Sequence, residues 1–160
     1  MATRMRGGRP ETTIVADIVA IKEESIPLVV KVKAMKDAAK IGVPWLAEEI
    51  GQLVANGYIV DFGMFVDLDE IRIIRVGEGG AVETVCILPM AEILGTYDSS
   101  VVDRRIHQDY LQRLVARWLE HFAKSYFPGT PPGVDRIRSL GLADLLEGAE
   151  VEERSEFIVR

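Results

Sequence analysis

Three side chains of the sequence, Cys86, His107 and His121, are of the types most used as soft nucleophiles, proton carriers near neutral pH or transition-metal ligands. If the helical pattern over residues 100–127 forms one helix, the two histidine backbones are roughly 21 Å apart, since an α-helix rises about 1.5 Å per residue. One protomer then cannot bring both histidines to the same metal ion. A site shared between protomers, or completed by distant carboxylates, stays open, although no ligand spacing supports it.

We therefore expect these three side chains to have structural roles in packing and hydrogen bonding. A histidine on the flank of an apolar stripe most often packs its ring and hydrogen-bonds a neighbour. Cys86 stands beside Ile87 and Leu88 in an apolar segment, with no basic residue close in sequence to activate its thiol. We expect Cys86 to be packed in a buried strand and assign no catalytic, cofactor-binding or metal-binding residue.

Four carboxylates, Asp61, Asp67, Asp69 and Glu70, stand near the ends of predicted strands. Such a group is able to bind a divalent cation or to act as a general acid and base. The spacing does not match an EF-hand loop, and aspartates favour tight turns through bonds to their own backbone. The segment 67–70 is therefore predicted to be a hairpin connection.

The segment Gly77-Glu78-Gly79-Gly80 contains the glycines of a phosphate-binding loop. However, a strand-forming segment follows it, no Gly-Lys-Ser/Thr is present, and Glu78 would repel phosphate. A flexible hairpin is the prediction for this segment.

The predicted helix carries charges on one face, where Arg113, Arg117 and Lys124 lie within about 40° of one another on a helical wheel. This face is either a docking strip for an acidic partner or a phosphate, or the solvated back of an amphipathic helix. Val102 and Ile106 project toward the same side. Apolar residues there indicate a contact near the start of the helix.

The N-terminal residues 1–10 are expected to form a basic arm, since they combine Arg4, Arg6 and Arg9 with two glycines and a proline, a composition that has no means of building a core. The arm is expected to contact a partner. The alternatives are that it folds back on the acidic surface of its own chain, or that residues 1–9 bind nucleic acid.

The C-terminal residues 150–160 are acidic and then apolar, with Phe157 and Ile158 near their end. This composition predicts either an edge strand or a tail that docks on a neighbouring subunit. Residues 11–149 between the two terminal segments are expected to form a single domain.

The elements of this domain follow from the spacing of apolar residues. Residues 11–24 follow helical spacing and are predicted to be helical, although their β-branched residues would also suit a strand. Residues 27–34 alternate as a half-buried strand with one wet face, and Pro44 and Asn56-Gly57 bound a helix over 45–55. Further elements are a three-stranded antiparallel meander (58–66, 71–76, 82–88), the helix 100–127 with Ser100 as its cap, a breaker at 127–133 and a helix over 134–147.

Composition narrows the class of protein. The chain has 160 residues, a net charge of -6 and a pI near 5.0, which oppose nonspecific attraction to nucleic acid. One cysteine and an N-terminus without an apolar segment favour a reducing, intracellular setting, and no apolar run approaches the ~20 residues of a membrane span. The mean hydropathy of +0.13 suggests that another subunit covers part of the apolar surface.

These observations predict a single α+β domain in which an antiparallel sheet of about four strands packs on one long helix, about 100–127, with shorter helices around it. The expected function is that of a non-catalytic structural or assembly subunit in a homo- or hetero-oligomer of protein chains, with a virus or phage particle as one class of such complex. The alternatives are an acidic chaperone or regulatory peptide-binding module, a small enzyme using carboxylates, and a protein that binds nucleic acid through its N-terminal arm.

Overall fold

A computed structural model describes residues 11–102, 106–154 and 156–159 of the protein. Its strands are β1 (Thr12–Ile14), β2 (Ile18–Lys22), β3 (Ser25–Val32), β4 (Ile59–Val66), β5 (Glu70–Val76), β6 (Val82–Pro89), β7 (Glu150–Glu153) and β8 (Phe157–Val159). Its helices are α1 (Ala39–Ala55), α2 (Met90–Leu94), α3 (Gln108–Ala123), α4 (Val134–Ser139) and α5 (Leu142–Leu146).

Six strands form one mixed sheet in the order β6-β5-β4-β3-β2-β7. β3 and β4 pair in parallel, and the other neighbours in this sheet are antiparallel. Parallel neighbours need a long crossover connection, which α1 supplies. β1 and β8 form a separate antiparallel ribbon, in which Thr12 is opposite Val159.

Helices cover both faces of the sheet, so that the described residues form two apolar cores. On one face, Leu46, Ile50 and Leu53 of α1 pack against sheet residues such as Phe65. On the other face, α3 contributes an apolar stripe that includes Trp118, packed with residues from β2 to β6 and from the shorter helices. The mixed α+β class is therefore as predicted, but the sheet has six strands rather than about four, and it is not packed on one long helix.

Residues 11–24 are not helical, contrary to the prediction. They form β1 and β2, joined by residues 15–17, and Ile18, Val19 and Ala20 are buried in succession. A strand buried on both faces shows a continuous apolar run, which periodicity alone cannot distinguish from a helix. Pairing of β2 with β3 and β7 decides the conformation.

The predicted strand over 27–34 is present as β3, but it does not have one wet face. Leu28, Val29 and Val30 are all buried, because β3 lies inside the sheet and is covered on both sides. Alternation with lysine begins only at its end, where Lys31 is partly exposed and Lys33 is exposed.

The long helix over 100–127 is shorter than predicted. α3 spans Gln108–Ala123, and a separate 3-10 turn covers Ser99–Val102. Ser100 does not cap α3: its hydroxyl and its backbone N–H donate to Oδ1 of Asp98, which closes a local turn instead. The helix predicted over 134–147 is likewise divided, at Gly141, into α4 and α5.

Other elements agree with their sequence patterns. β4, β5 and β6 form the predicted antiparallel meander. α1 ends at Ala55, with Asn56 as its cap and Gly57 in the left-handed region, although the helix begins at Ala39 and includes Pro44 rather than starting there. Cys86 is buried in β6. In the part of the chain that the structure describes, no helix is long and apolar enough to cross a membrane.

Candidate functional site

The predicted carboxylate cluster contains one buried member, Asp67, which is 1% exposed. Its Oδ1 accepts backbone N–H groups of Asp69 at 2.8 Å and Glu70 at 2.9 Å, and its Oδ2 accepts the N–H of Ala38 at 3.0 Å. The first two bonds shape the hairpin between β4 and β5, as predicted from the sequence. The third bond fastens this hairpin to the start of α1, which the sequence did not indicate.

Asp69 extends the same framework. Its Oδ2 accepts the backbone N–H of Asp37 at 2.7 Å, and Asp37 has a left-handed φ of 54°. Asp67 and Asp69 therefore accept hydrogen bonds from the backbone N–H groups that lead into α1. These carboxylates thus hold the backbone of the protein in place. Glu70 binds the Arg72 guanidinium at 2.6 Å, which raises the pKa of Arg72. Over the residues with described positions, no group of three or more His, Cys, Asp or Glu is arranged to hold a metal ion.

Asp61 lies in β4, apart from this cluster, and burial raises the pKa of its carboxyl. At a pH between the pKa of Asp61 in the unfolded chain and its higher pKa in the native protein, the native state binds more protons than the unfolded state. The stability of the native protein therefore falls as the pH rises through this interval. We expect Asp61→Asn to raise the Tm at pH 7, and to change it less at pH 3, where the carboxyl is mostly protonated in both states.

Thermal unfolding followed by circular dichroism at both pH values measures this effect. Asp135→Asn is the matched control, because the Asp135 side chain is almost fully exposed. Its replacement should leave the difference between the Tm at pH 7 and the Tm at pH 3 unchanged. A lower Tm of Asp61→Asn at pH 7 would show that the charged carboxylate stabilises the fold.

The two histidines lie in different environments. His121 packs in the way expected of it: its ring stacks on Phe127, its Nδ1 is 2.7 Å from the Tyr97 hydroxyl, and its Nε2 is 3.1 Å from the Gly129 carbonyl. Burial raises the pKa of Tyr97 to about 12 against the opposing charge of Arg117, so the hydroxyl stays protonated and is able to donate to Nδ1. His107 instead precedes α3 and is exposed, contrary to the expectation that it would pack.

The predicted partner contacts on the long helix are only partly available. Arg113 and Arg117 are exposed on α3, while Lys124 follows the helix and lies 3.8 Å from Glu150. Ile106 is buried and precedes α3, so the prediction that it projects from the polar side of the helix is wrong. The described part of the chain does not include Arg4, Arg6 and Arg9, or the side chains of Val102, Phe157 and Ile158. The backbone of residues 157–159 is described, and it pairs with β1.

An apolar pocket of about 300 Å³ opens beside the start of α1, where the chain leaves β3. Phe65 of β4 and Trp45 of α1 belong to its lining, together with Met35 and Ile41. Ile41 is 82% exposed and Met35 is 54% exposed. Two large apolar residues therefore stand at the surface next to two aromatic rings.

The close approach of α1 to the sheet depends on Gly42. A Cβ added to Gly42 would lie 2.0 Å from Cε1 and 2.2 Å from Cζ of Phe65, so the ring occupies the space that any other side chain would need. Phe65 itself is buried. The glycine thus fixes the position of an aromatic ring that lines the pocket.

Lysines surround the pocket. Lys31 lies with its Nζ 4.4 Å from the centroid of the Trp45 ring, and 3.5 Å from the carboxylate of Asp17. Lys33 and Lys36, which are both exposed, complete the basic part of the lining, and Asp37 adds one carboxylate. The pocket therefore combines an apolar interior with a mainly basic rim.

The sequence interpretation missed this pocket. The helix predicted from the sequence begins near Pro44, whereas α1 begins at Ala39 and contains Ile41 and Gly42 in its first turns. A helical wheel begun at Ala39 places Ile41 roughly 140° from Leu46, on the side away from the core, which marks it as an exposed apolar residue.

Comparison with protein-family models, with curated proteins and with solved structures found no match to this chain. The functional argument therefore depends on the geometry of the molecule itself.

Proposed function

We propose that this protein is a non-catalytic subunit that binds another protein chain, and that the pocket formed by Met35, Ile41, Trp45 and Phe65 is its contact surface. The observation that carries the proposal is the grouping of exposed apolar side chains around two aromatic rings at one place. Exposed apolar side chains that occur singly need no explanation, whereas a cluster of them beside a pocket is typical of an interaction site.

The exposure of the pocket walls favours a protein over a small molecule as its occupant. Sites for small ligands usually bury 70–90% or so of the ligand surface. Here Ile41 and Met35 stand mostly in solvent, so that a small molecule in the pocket would leave these side chains uncovered. A protein surface that inserts one or two apolar side chains would cover them as well, in the way that a hot spot is surrounded by contacts that exclude water.

The pocket is held in place before any partner arrives. The segment from Lys33 to Ala38 is fixed at several points: Leu68 donates its N–H to the Met35 carbonyl at 3.1 Å, and the N–H groups of Asp37 and Ala38 bind the carboxylates of Asp69 and Asp67. A contact surface that is ordered in advance loses less conformational entropy on binding. This rigidity supports a role in recognition.

The test compares two equivalent substitutions of exposed isoleucines. Ile41→Glu places a charge in the pocket, and Ile59→Glu places the same charge at the start of β4, which lies six residues, or roughly 20 Å, along the strand from Phe65. A tagged chain is purified gently from its native source, and native mass spectrometry identifies a stoichiometric partner. The complex is then reconstituted from purified components, and its Kd is measured by calorimetry.

We expect Ile41→Glu to weaken binding at least about tenfold, because desolvating a carboxylate in an apolar contact is costly. Ile59→Glu should bind as the unsubstituted chain does, and both variants should keep the circular dichroism spectrum of the fold. Isolation of the chain as a lone monomer, or equal affinity of the two variants, would refute the proposed function.

A further inference from the structure

We propose that the partner presents an apolar side chain flanked by carboxylates, and that Lys33 and Lys36 recognise those carboxylates. This inference rests on the proposed function, since it names the chemistry of the segment that enters the same pocket. It follows from the charges that surround the apolar interior.

Lys33 and Lys36 are the cations of the rim that are available to a partner. Lys31 is already engaged, because it lies against the Trp45 ring and within 3.5 Å of the Asp17 carboxylate, with only 23% of its side chain exposed. Lys33 and Lys36 are exposed, and neither has a carboxylate within ion-pair distance among the residues whose positions are described.

Among the lining residues, Asp37 is the carboxylate that opposes these charges, and it has its own counterion. Asp37 lines the pocket, but its side chain is 77% exposed and its Oδ2 lies 3.9 Å from the Nζ of Lys40. With Lys31 set against Asp17, and Lys40 set against Asp37, the rim retains the two positive charges of Lys33 and Lys36. A partner with carboxylates beside its apolar side chain would complement them.

The local charge is opposite in sign to that of the whole chain. The net charge is -6, so an acidic segment is repelled by the protein as a whole, and the lysines of this rim oppose that repulsion locally. Charge complementarity of this kind selects partners and fixes their register rather than supplying most of the affinity. The apolar side chain would supply the affinity, and the lysines would determine which apolar segments are accepted.

Recognition has to proceed through side chains, because the backbone beside the pocket is already used. β3 and β4 are interior strands, and beyond β3 the N–H of Lys33 donates to the Val66 carbonyl at 2.8 Å. The carbonyl of Lys33 accepts the N–H of Met35, and that of Met35 accepts the N–H of Leu68. A partner cannot add a strand here, so its specificity should depend on side-chain chemistry.

The experiment selects peptides from a displayed library of random 12-residue sequences on the full-length protein. Three variants are used in parallel: Ile41→Glu, the double variant K33E/K36E, and the control R136E/R138E. The control changes the net charge by the same amount on α4, which packs against the opposite face of the sheet, where Ile137 belongs to the other core. Circular dichroism establishes that each variant is folded.

The unsubstituted chain should enrich peptides in which a large apolar residue is flanked by Asp or Glu. K33E/K36E should bind these peptides about tenfold more weakly or worse, and should itself enrich peptides with Lys or Arg beside the apolar residue. R136E/R138E should bind the acidic peptides within about twofold of the unsubstituted chain, because its changes lie outside the pocket.

The failures of the two proposals are distinguishable. If the enriched peptides lose binding to Ile41→Glu but carry neutral or basic flanks, the pocket is a protein-binding site and the assignment of acidic flanks is wrong. If binding is indifferent to Ile41→Glu, or no peptide is enriched over that variant, the pocket is not the contact surface and both proposals fail.

Discussion

Asp67→Ala should lower the free energy of unfolding by about 4 kcal/mol, one of the largest effects expected of any single substitution in this protein. The carboxylate is buried and accepts three backbone N–H groups, from Ala38, Asp69 and Glu70. A hydrogen bond to a charged group contributes roughly 1.5–3 kcal/mol to stability. The three bonds share one acceptor group, so their contributions are not fully additive. Alanine would leave all three donors without this partner.

Urea denaturation at pH 7 measures the change, with a constant m-value as the sign that the unfolded state is unaffected. Asp69→Ala is the matched control, because the Asp69 carboxylate is exposed and is bonded to the single N–H of Asp37. We expect the control to cost about 1 kcal/mol. Equal effects of the two substitutions would contradict the structural role assigned to Asp67.

Gly42→Ala and Gly51→Ala should change stability in opposite directions, although both replace a glycine of α1 by the residue that most favours helices. At Gly42 the new Cβ would overlap the Phe65 ring, and forcing a methyl group into a packed core typically costs 1–3 kcal/mol or so. At Gly51 nothing lies within 4 Å of the added Cβ, so the helix should gain about 0.5–1 kcal/mol.

The same pair tests the link between packing and binding. In Gly42→Ala the Phe65 ring has to move from its position in the pocket, so we expect loss of partner binding together with a lower Tm. Gly51→Ala should raise the Tm and leave binding unchanged. Thermal unfolding and calorimetry on both variants provide the measurements, and a stabilised Gly42→Ala chain that still binds would show that the ring is free to move without consequence.

Local patterns predicted the elements whose conformation is decided locally. The meander of β4, β5 and β6 has short connections and β-branched segments, and its turn chemistry at Asp67 is readable from neighbouring residues. The end of α1 at Asn56-Gly57 is a local signal of the same kind. These features need no knowledge of distant parts of the chain.

The wrong predictions concern segments whose conformation depends on residues that are distant in sequence. β2 is a strand because it lies between β3 and β7, and its partner in β7 is more than 100 residues away in sequence, as in the pairing of Ile18 with Glu153. No window around residues 11–24 contains that information. The number of strands was underestimated for the same reason, since β7 and β2 complete the sheet from opposite ends of the described chain.

The candidate site was the least predictable part. Its residues come from the end of β3, from the segment after it, from α1 and from β4. The chemistry of the pocket is that of ordinary lysines, methionine and aromatic rings rather than of a motif. Ile41 carried a signal as an outward-facing apolar residue, but only once the true start of α1 was known. Lys33 and Lys36 become candidate contacts only because they line the same pocket as the two aromatic rings.

The pairing of β2 with β7, and of β1 with β8, has a consequence for how the protein is made. Translation delivers β1 and β2 first, yet their partners at residues 150–159 are synthesised more than 100 residues later. Until then, β2 keeps an open hydrogen-bonding edge composed mainly of Ile, Val and Ala. The nascent chain therefore exposes an aggregation-prone strand edge until its last strands are made, and a premature stop codon before residue 150 would leave that edge open.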